Sequence, residues 1–164
     1  MRDRFLEGMS RAAWQVSVVT TDGPAGRAGL TVSAVTSLSA DSPNPSLLIC
    51  IHDANASTPF IRENGVFCVN ILCEKQKTIS DAFSTRRLTP EEKFATGTWN
   101  TLSTGSPALS DALVVFDCRL EAALHHGTHW VLVGGVVAMD LPRETSGPLI
   151  HSHRHYGGFH EIDG

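Results

Sequence analysis

The 164-residue chain lacks most of what marks specialised protein classes. Its 13 basic residues do not exceed its 17 acidic ones, the net charge is −4, and no basic stripe runs along it. That leaves out the electrostatic footprint of a nucleic-acid binder. No apolar run approaches the ~20 residues that a membrane helix requires, so no membrane partner is expected. The opening MRDRFLEGMSRAAW alternates charged and apolar types, so no signal peptide is expected and the expected compartment is the cytoplasm. The four cysteines, Cys50, Cys68, Cys73 and Cys118, are scattered and form no C-x-x-C pair. Three of them sit among apolar neighbours, which points to reduced, buried thiols and away from disulfides or zinc. A strand–G-x-G-x-x-G–helix fingerprint, a phosphate loop, H-E-x-x-H and a nucleophile elbow are all missing. Nor does any repeat or composition shift mark a second domain. One domain over 1–164 is expected, ordered over about 4–159.

What is present is a strand-rich pattern. Residues 28–40, AGLTVSAVTSLSA, carry no charge. Thr31, Ser33, Ser37 and Ser39 recur at even spacing, which on a strand places the hydroxyls on one face and Leu30, Val32, Ala34 and Leu38 on the other. Such a face is either a solvated sheet surface or a wall for a flat polar ligand. Around it the spacing predicts a helix with Phe5, Met9, Ala12 and Ala13 on one side, and a strand over Gln15–Thr21. A turn at Asp22–Gly26 and a loop at Asp41–Pro45 follow, then a strand over Ser46–His52 buried on both faces. Ser57 or Thr58 caps a short helix that Pro59 starts and Gly65 ends. Further elements are a strand over Val66–Leu72, a helix over Glu74–Phe83 and a helical turn at Glu91–Phe94. Two long strands, Leu113–Ala123 and His129–Met139, precede a short one at Pro148–His151. Mostly hairpin-linked strands with peripheral helices imply an antiparallel barrel.

Two constellations carry chemistry. The loop Asp53–Thr58 leads into the capped helix, where backbone N–H groups with Asn55, Ser57 and Thr58 suit a phosphate; plain capping is the alternative. The eight histidines cluster at 125–129 and at 151–155. His151, His153 and His155 alternate and would share one strand face, which keeps a metal-dependent enzyme open as a weaker alternative although no acidic or thiol partner lies at ligand spacing.

Read in order, GLTVSAVTSLS, PSLLICI, NGVFCVNIL, GTHWVLVGGV and PLI…YGGF resemble the short-chain flavin reductase family, over about residue 4 to Phe159. The resemblance implies a mainly β, Greek-key antiparallel split β-barrel with peripheral helices, the FMN-binding split barrel. It implies reduction of FMN or FAD by NADH or NADPH, a homodimer, and release of reduced flavin to a separate monooxygenase. It also implies that Thr31, Val32, Ser33, Ala34, Val35 and Ser37 lie along the isoalloxazine, with Thr31 and Ser33 facing it and Leu30 and Val32 facing the core. His52, Asp53, Asn55, Ser57 and Thr58 would lie near the ribityl chain and phosphate, and Phe83 would pack near the flavin. His129 matches the histidine beside the nicotinamide site and carries the catalytic expectation. Arg154 and Tyr156 match the segment closing that site. No metal is implied. The alternative is a split-barrel protein that holds flavin or haem without turnover.

Overall fold

The computed structural model describes residues 1–41, 44–142 and 146–162. The predicted loop at 41–45 therefore lies partly outside the described residues. In chain order the elements are α1 (Arg2–Arg11), β1 (Trp14–Gln15), β2 (Ser17–Thr21), β3 (Ala28–Val32), β4 (Val35–Ser39), β5 (Ser46–His52), α2 (Thr58–Asn64) and β6 (Val66–Ile71). A 3-10 turn, Glu74–Gln76, leads into α3 (Lys77–Ser84), followed by α4 (Pro90–Phe94), β7 (Trp99–Thr101) and β8 (Pro107–Leu109). The chain ends in β9 (Val114–His126), β10 (His129–Asp140), β11 (Ile150–Ser152) and β12 (His155–Gly157). Among the described residues no helix is long and apolar enough to cross a membrane.

Seven strands form an antiparallel sheet in the order β3-β2-β6-β9-β10-β5-β4. Its two edges, β3 and β4, are consecutive in the chain and separated only by Ser33 and Ala34. The uncharged run is thus two strands, not one. The Ala34 carbonyl accepts a hydrogen bond from the Cys50 N–H (3.0 Å), and the Val35 N–H turns back onto the Ser33 carbonyl (3.1 Å). A two-residue link between opposite edges forces the sheet to curl round on itself, leaving a split between β3 and β4. This is the mainly β, antiparallel split barrel that the sequence led us to expect.

Successive residues of the central strands feed two cores. Val19, Phe67, Val69 and Cys118 join Leu30, Val32, Ile49 and Leu132 inside the barrel. Val18, Cys68 and Val115 point the other way and pack with Leu72, Ile79, Phe83, Phe94 and Leu109 beneath α3 and α4. Every residue of β2 is buried for this reason. The doubly buried strands are β2 and the middle of β6. The sequence placed that property on β5, where burial instead alternates: Leu47, Ile49 and Ile51 are buried, while Leu48 and Cys50 are half-buried on the outer face. An apolar run is ambiguous between two buried faces and one buried face backed by apolar outer residues.

Three further expectations are corrected. No residue of α1 is buried, and Phe5 and Met9 are exposed; the helix ends at Arg11, with Ala12 extended. Predicted Gln15–Thr21 splits into β1 and β2, which belong to different sheets. His151, His153 and His155 do not share a face, because β11 and β12 form a hairpin whose turn contains His153 (φ 51°) and Arg154 (φ 64°). That removes the premise of the metal-dependent alternative. Among the described residues no group of three His, Cys, Asp or Glu side chains could hold a metal ion.

All four cysteines are free thiols. Burial, reinforced by the neighbouring Asp117 carboxylate, pushes Cys68 far up, and burial pushes Cys118 up to about 12. Both therefore act as small hydrophobes, inert as nucleophiles. Beside Cys118, Gly134 sits at a register shift between β9 and β10, and a Cβ there would lie 2.5 Å from Phe67 Cζ and 2.9 Å from Cys118 Cβ. Gly134→Ala is expected to destabilise the fold by about 1–3 kcal/mol through overpacking, read as a lower urea midpoint at unchanged slope.

Candidate functional site

Two clefts flank the free edge of β3. The first, of about 240 Å³, lies between the Ala54–Ser57 loop, the start of β3 at Ala28 and Gly29, and the segment from Phe83 to Lys93. The second, of about 190 Å³, is lined by Val16, Thr31, Val32, Ser33, Ser84, His151 and Tyr156. Ser84, the last residue of α3, lines both, so the two adjoin there.

The floor between them is set by glycine and aromatic packing. A Cβ on Gly29 would come within 2.7 Å of the Phe83 ring and 3.1 Å of the Val19 carbonyl. Only glycine lets Phe83 close over β3. Phe83 in turn meets Phe94 edge to face at 5.1 Å and Trp99 at 5.5 Å. Phe94 carries the Arg27 guanidinium 3.9 Å above its ring centroid.

Thr31 sits on the cleft side of β3, while Leu30 and Val32 are buried in the barrel core. That is the register expected from the alternation. Thr31 Oγ1 donates to the Ser80 carbonyl at 2.7 Å, and the Ser80 hydroxyl lies 2.9 Å from the Tyr156 hydroxyl. Hence Thr31 presents lone pairs to the second cleft, not a proton. The same economy governs the 53–58 loop. Ser57 Oγ donates to the Gly29 carbonyl and Thr58 Oγ1 to the His52 carbonyl, each at 2.8 Å. Neither caps α2, contrary to the sequence expectation: Ser57 already has helical angles (φ −82°, ψ −15°), which turn its side chain away from the helix N–H groups. Asn55 Oδ1 accepts the Ser57 N–H at 3.0 Å and shapes the loop.

Of the residues the sequence singled out, Thr31, Val32, Ser33 and Tyr156 line the second cleft, and Asn55, Ser57 and Phe83 the first. Ala34, Val35 and Ser37 do not line either; Ala34 lies in the link after β3, and Val35 and Ser37 run away along β4 on the opposite sheet edge. Thr58 is buried beneath the loop. Arg154 is turned outward into an ion pair with Glu7 of α1 at 3.1 Å, away from both clefts. That guanidinium, through its hydrogen bond and charge, holds the Glu7 carboxyl below the ordinary carboxylate range.

His52, Asp53 and His129 also lie outside the clefts, gathered at the tip of the β9–β10 hairpin. Gly127 takes the positive φ (60°) that a two-residue hairpin loop demands, bringing His126 opposite His129. The His129 ring meets His52 at 4.9 Å, inclined by 65°, with its Nδ1 3.1 Å from Thr128 Oγ1. His125 Nε2 lies 3.3 Å from Asp53 Oδ2, and this hydrogen bond is the main cause holding the Asp53 carboxyl below its ordinary range, against desolvation. The cluster is anchored to the loop by the Asp53 N–H on the Thr128 carbonyl (3.0 Å).

Arg27, Arg86 and Lys93 also line the first cleft and Ser84 lines both, and of these Lys93 and Ser84 were missed in the sequence. A signal for Lys93 existed. Thr89-Pro90-Glu91-Glu92 is a capping box: Glu92 N–H donates to Thr89 Oγ1 and Thr89 N–H to Glu92 Oε2. It fixes the start of α4 and thereby delivers Lys93 to the cleft wall.

The chain is similar to known proteins over most of its length. The chain is 46% identical over 153 residues to an FMN reductase (NADH) RutF 1 of Methylorubrum extorquens, covering 93% of this chain and 74% of that protein. Against the FMN reductase (NADH) RutF of Stutzerimonas stutzeri the identity is 40% over 159 residues, 96% of this chain and 88% of the relative. The fold superposes on a flavin reductase-like protein of Haemophilus somnus with a TM-score of 0.91 at 36% identity, covering 97% and 99% of the two chains. On the nitrilotriacetate monooxygenase component B homologue of Mycobacterium thermoresistibile the TM-score is 0.88 at 29% identity, covering 97% and 87%. The family model described as "flavin reductase like domain" matches residues 9–160. The chain belongs to the flavin reductase-like domain family.

Proposed function

We propose that the chain is an NADH-dependent flavin reductase that takes FMN as its flavin and passes reduced flavin to a separate monooxygenase. The observation that carries this reading is the free edge of β3 running along two adjoining clefts. One is lined by cations and the other by hydroxyls, bare backbone and Tyr156. A flavin mononucleotide has that two-part chemistry: an anionic tail and a flat ring with a polar edge. The relatives named FMN reductase (NADH) support FMN and NADH as the pair. The monooxygenase component among the similar structures supports an oxygenase as consumer.

When bound, the flavin supplies the redox chemistry, accepting hydride from the nicotinamide. The chain's own residues orient it. Phe83 and Gly29 fix the depth of the first cleft, while Thr31 and the β3 backbone meet the ring edge. Tyr156, held by Ser80 and edge to face with His151 at 5.5 Å, walls the second cleft. Orientation alone can be worth several kcal/mol of barrier, roughly the 7–11 kcal/mol seen for well-placed reactants at the upper end. No acid–base pair is needed, and neither cleft contains a carboxylate side chain.

A second copy of the chain fits the outer face of β5, β10 and β9, where Leu124 and Val137 are exposed beside half-buried Leu48 and Cys50. That face supports the reading of a homodimer, in which the histidine cluster would lie near the interface. The free thiols fit a reducing, cytoplasmic setting.

Steady-state turnover tests the reading against a protein that merely holds flavin. With FMN in large excess, NADH loss should continue through many turnovers and saturate in both substrates. Consumption that stops at one equivalent per chain identifies a holder instead.

A further inference from the structure

His151 is the one half-buried histidine of the chain, every other being exposed, and it lines the second cleft. His52, His125, His129 and His153 each hold a ring nitrogen beside a protein polar atom. Among the described residues His151 has no such partner, and its ring meets only Tyr156, edge to face at 5.5 Å. A half-buried imidazole with unpaired nitrogens costs free energy that a ligand acceptor restores. The ring is nevertheless fixed in place. β11 is paired on both sides, with His151 opposite Trp14 of β1 and Tyr156 of β12. Other protons at the cleft are already committed: Thr31 Oγ1 donates to the Ser80 carbonyl and Ser84 Oγ to the Asp81 carbonyl. His151 is the one lining side chain with a nitrogen donor, and in either tautomer an imidazole keeps an N–H to give.

We propose that the His151 imidazole donates a hydrogen bond to the N1 and C2-carbonyl edge of the flavin ring, and thereby favours reduced over oxidised flavin in the second cleft. The inference rests on the reading of the clefts as a flavin site. It adds a residue that sets how readily the bound ring takes up hydride. Hydride transfer breaks the C–H bond at nicotinamide C4 and forms an N–H bond at flavin N5. The electron pair travels with the hydrogen, NADH becomes NAD+, and one negative charge spreads over flavin N1 and its C2 carbonyl. A donor already in place gains from that charge, because a hydrogen bond to an ionised acceptor is roughly twice as strong as one between neutral groups.

The test is an anaerobic titration of the full chain with oxidised FMN and with dithionite-reduced FMN, alongside NADH turnover. In His151→Phe, which keeps a ring against Tyr156, the Kd for reduced FMN divided by that for oxidised FMN should rise about tenfold. For a two-electron couple that change lowers the midpoint potential of the bound flavin by about 30 mV. Oxidised FMN should bind within about threefold of native, which also shows that the variant is folded. His151→Gln keeps an N–H and should recover most of the preference. In the native chain, the nitrogen resonances of the His151 ring should shift more with reduced than with oxidised FMN, a readout that needs no variant. An unchanged ratio in His151→Phe overturns the proposal, as do equal resonance shifts with the two forms; His151 then only packs against Tyr156. If that happens while native turnover persists, the reductase reading stands alone. A native chain that binds neither form overturns both. If the ratio rises as expected yet the native chain consumes no NADH, the reductase reading fails and the role of His151 stands.

Discussion

Phe83→Ala is expected to lower unfolding free energy by about 3–5 kcal/mol and to abolish saturable flavin turnover at accessible concentrations. The ring is 2% exposed and is shared by two structures at once. On one side it belongs to the lower core, edge to face with Phe94 and tilted against Trp99. On the other it lies over Gly29 and forms the back wall of the cationic cleft. Removing it leaves a cavity that Phe94 and Trp99 can fill only by moving, and Phe94 carries Arg27. Stability and flavin affinity should therefore fall together. Urea denaturation reads the first and flavin fluorescence the second. Phe83→Leu, which keeps most of the volume, should recover stability more fully than affinity. A Phe83→Ala protein with native stability would show that the aromatic cluster is not a structural support for the site.

His129→Ala is expected to slow flavin reduction about 100-fold while leaving the flavin Kd within twofold. That rate loss corresponds to about 2.7 kcal/mol of transition-state stabilisation. The separation follows from placement. His129 lines neither cleft, so it has no direct hold on the flavin. It stands at the hairpin tip in contact with His52, adjoining the loop that walls the first cleft. From there it can orient the second substrate, the nicotinamide, without touching the first. Single-turnover mixing separates the hydride step from binding. An unchanged rate would reduce His129 to a packing partner of His52, and an equal loss of affinity and rate would place it in the flavin site itself.

How much of this was legible in the sequence differs by element. The register of β3 was readable because period-two alternation is unambiguous where one face is apolar: Leu30 and Val32 are buried and Thr31 faces the cleft. The break at Ser33–Ala34 was not. The alternation does slip there, with Ala34 and Val35 both apolar and Thr36 and Ser37 both hydroxyl-bearing, but a slip of one residue does not tell that β3 and β4 sit on opposite edges of the sheet. The hydroxyls of Thr31, Ser57 and Thr58, expected from the resemblance to lie along the flavin, each donate to a backbone carbonyl. Their donors go to carbonyls that no local pattern reveals, 49 residues apart for Thr31 and 28 for Ser57. Tyr156 lines the second cleft, while Arg154, two residues earlier, faces α1 because it occupies the hairpin turn at positive φ. Lys93 escaped notice because charge on a short helix usually means a solvated face. Its place on the cleft wall depends on three segments converging, which is a property of the fold and not of any window of sequence.

The central claim is tested most directly without oxygen. Under anaerobic conditions the protein is mixed with FMN and NADH, and the visible flavin band is followed together with the nicotinamide absorbance. The account predicts that both fall in one-to-one proportion, at a rate proportional to protein concentration, with reduced flavin accumulating beyond one equivalent per chain. A flavin band that persists, with FMN or FAD, at the rate of the protein-free control would contradict it.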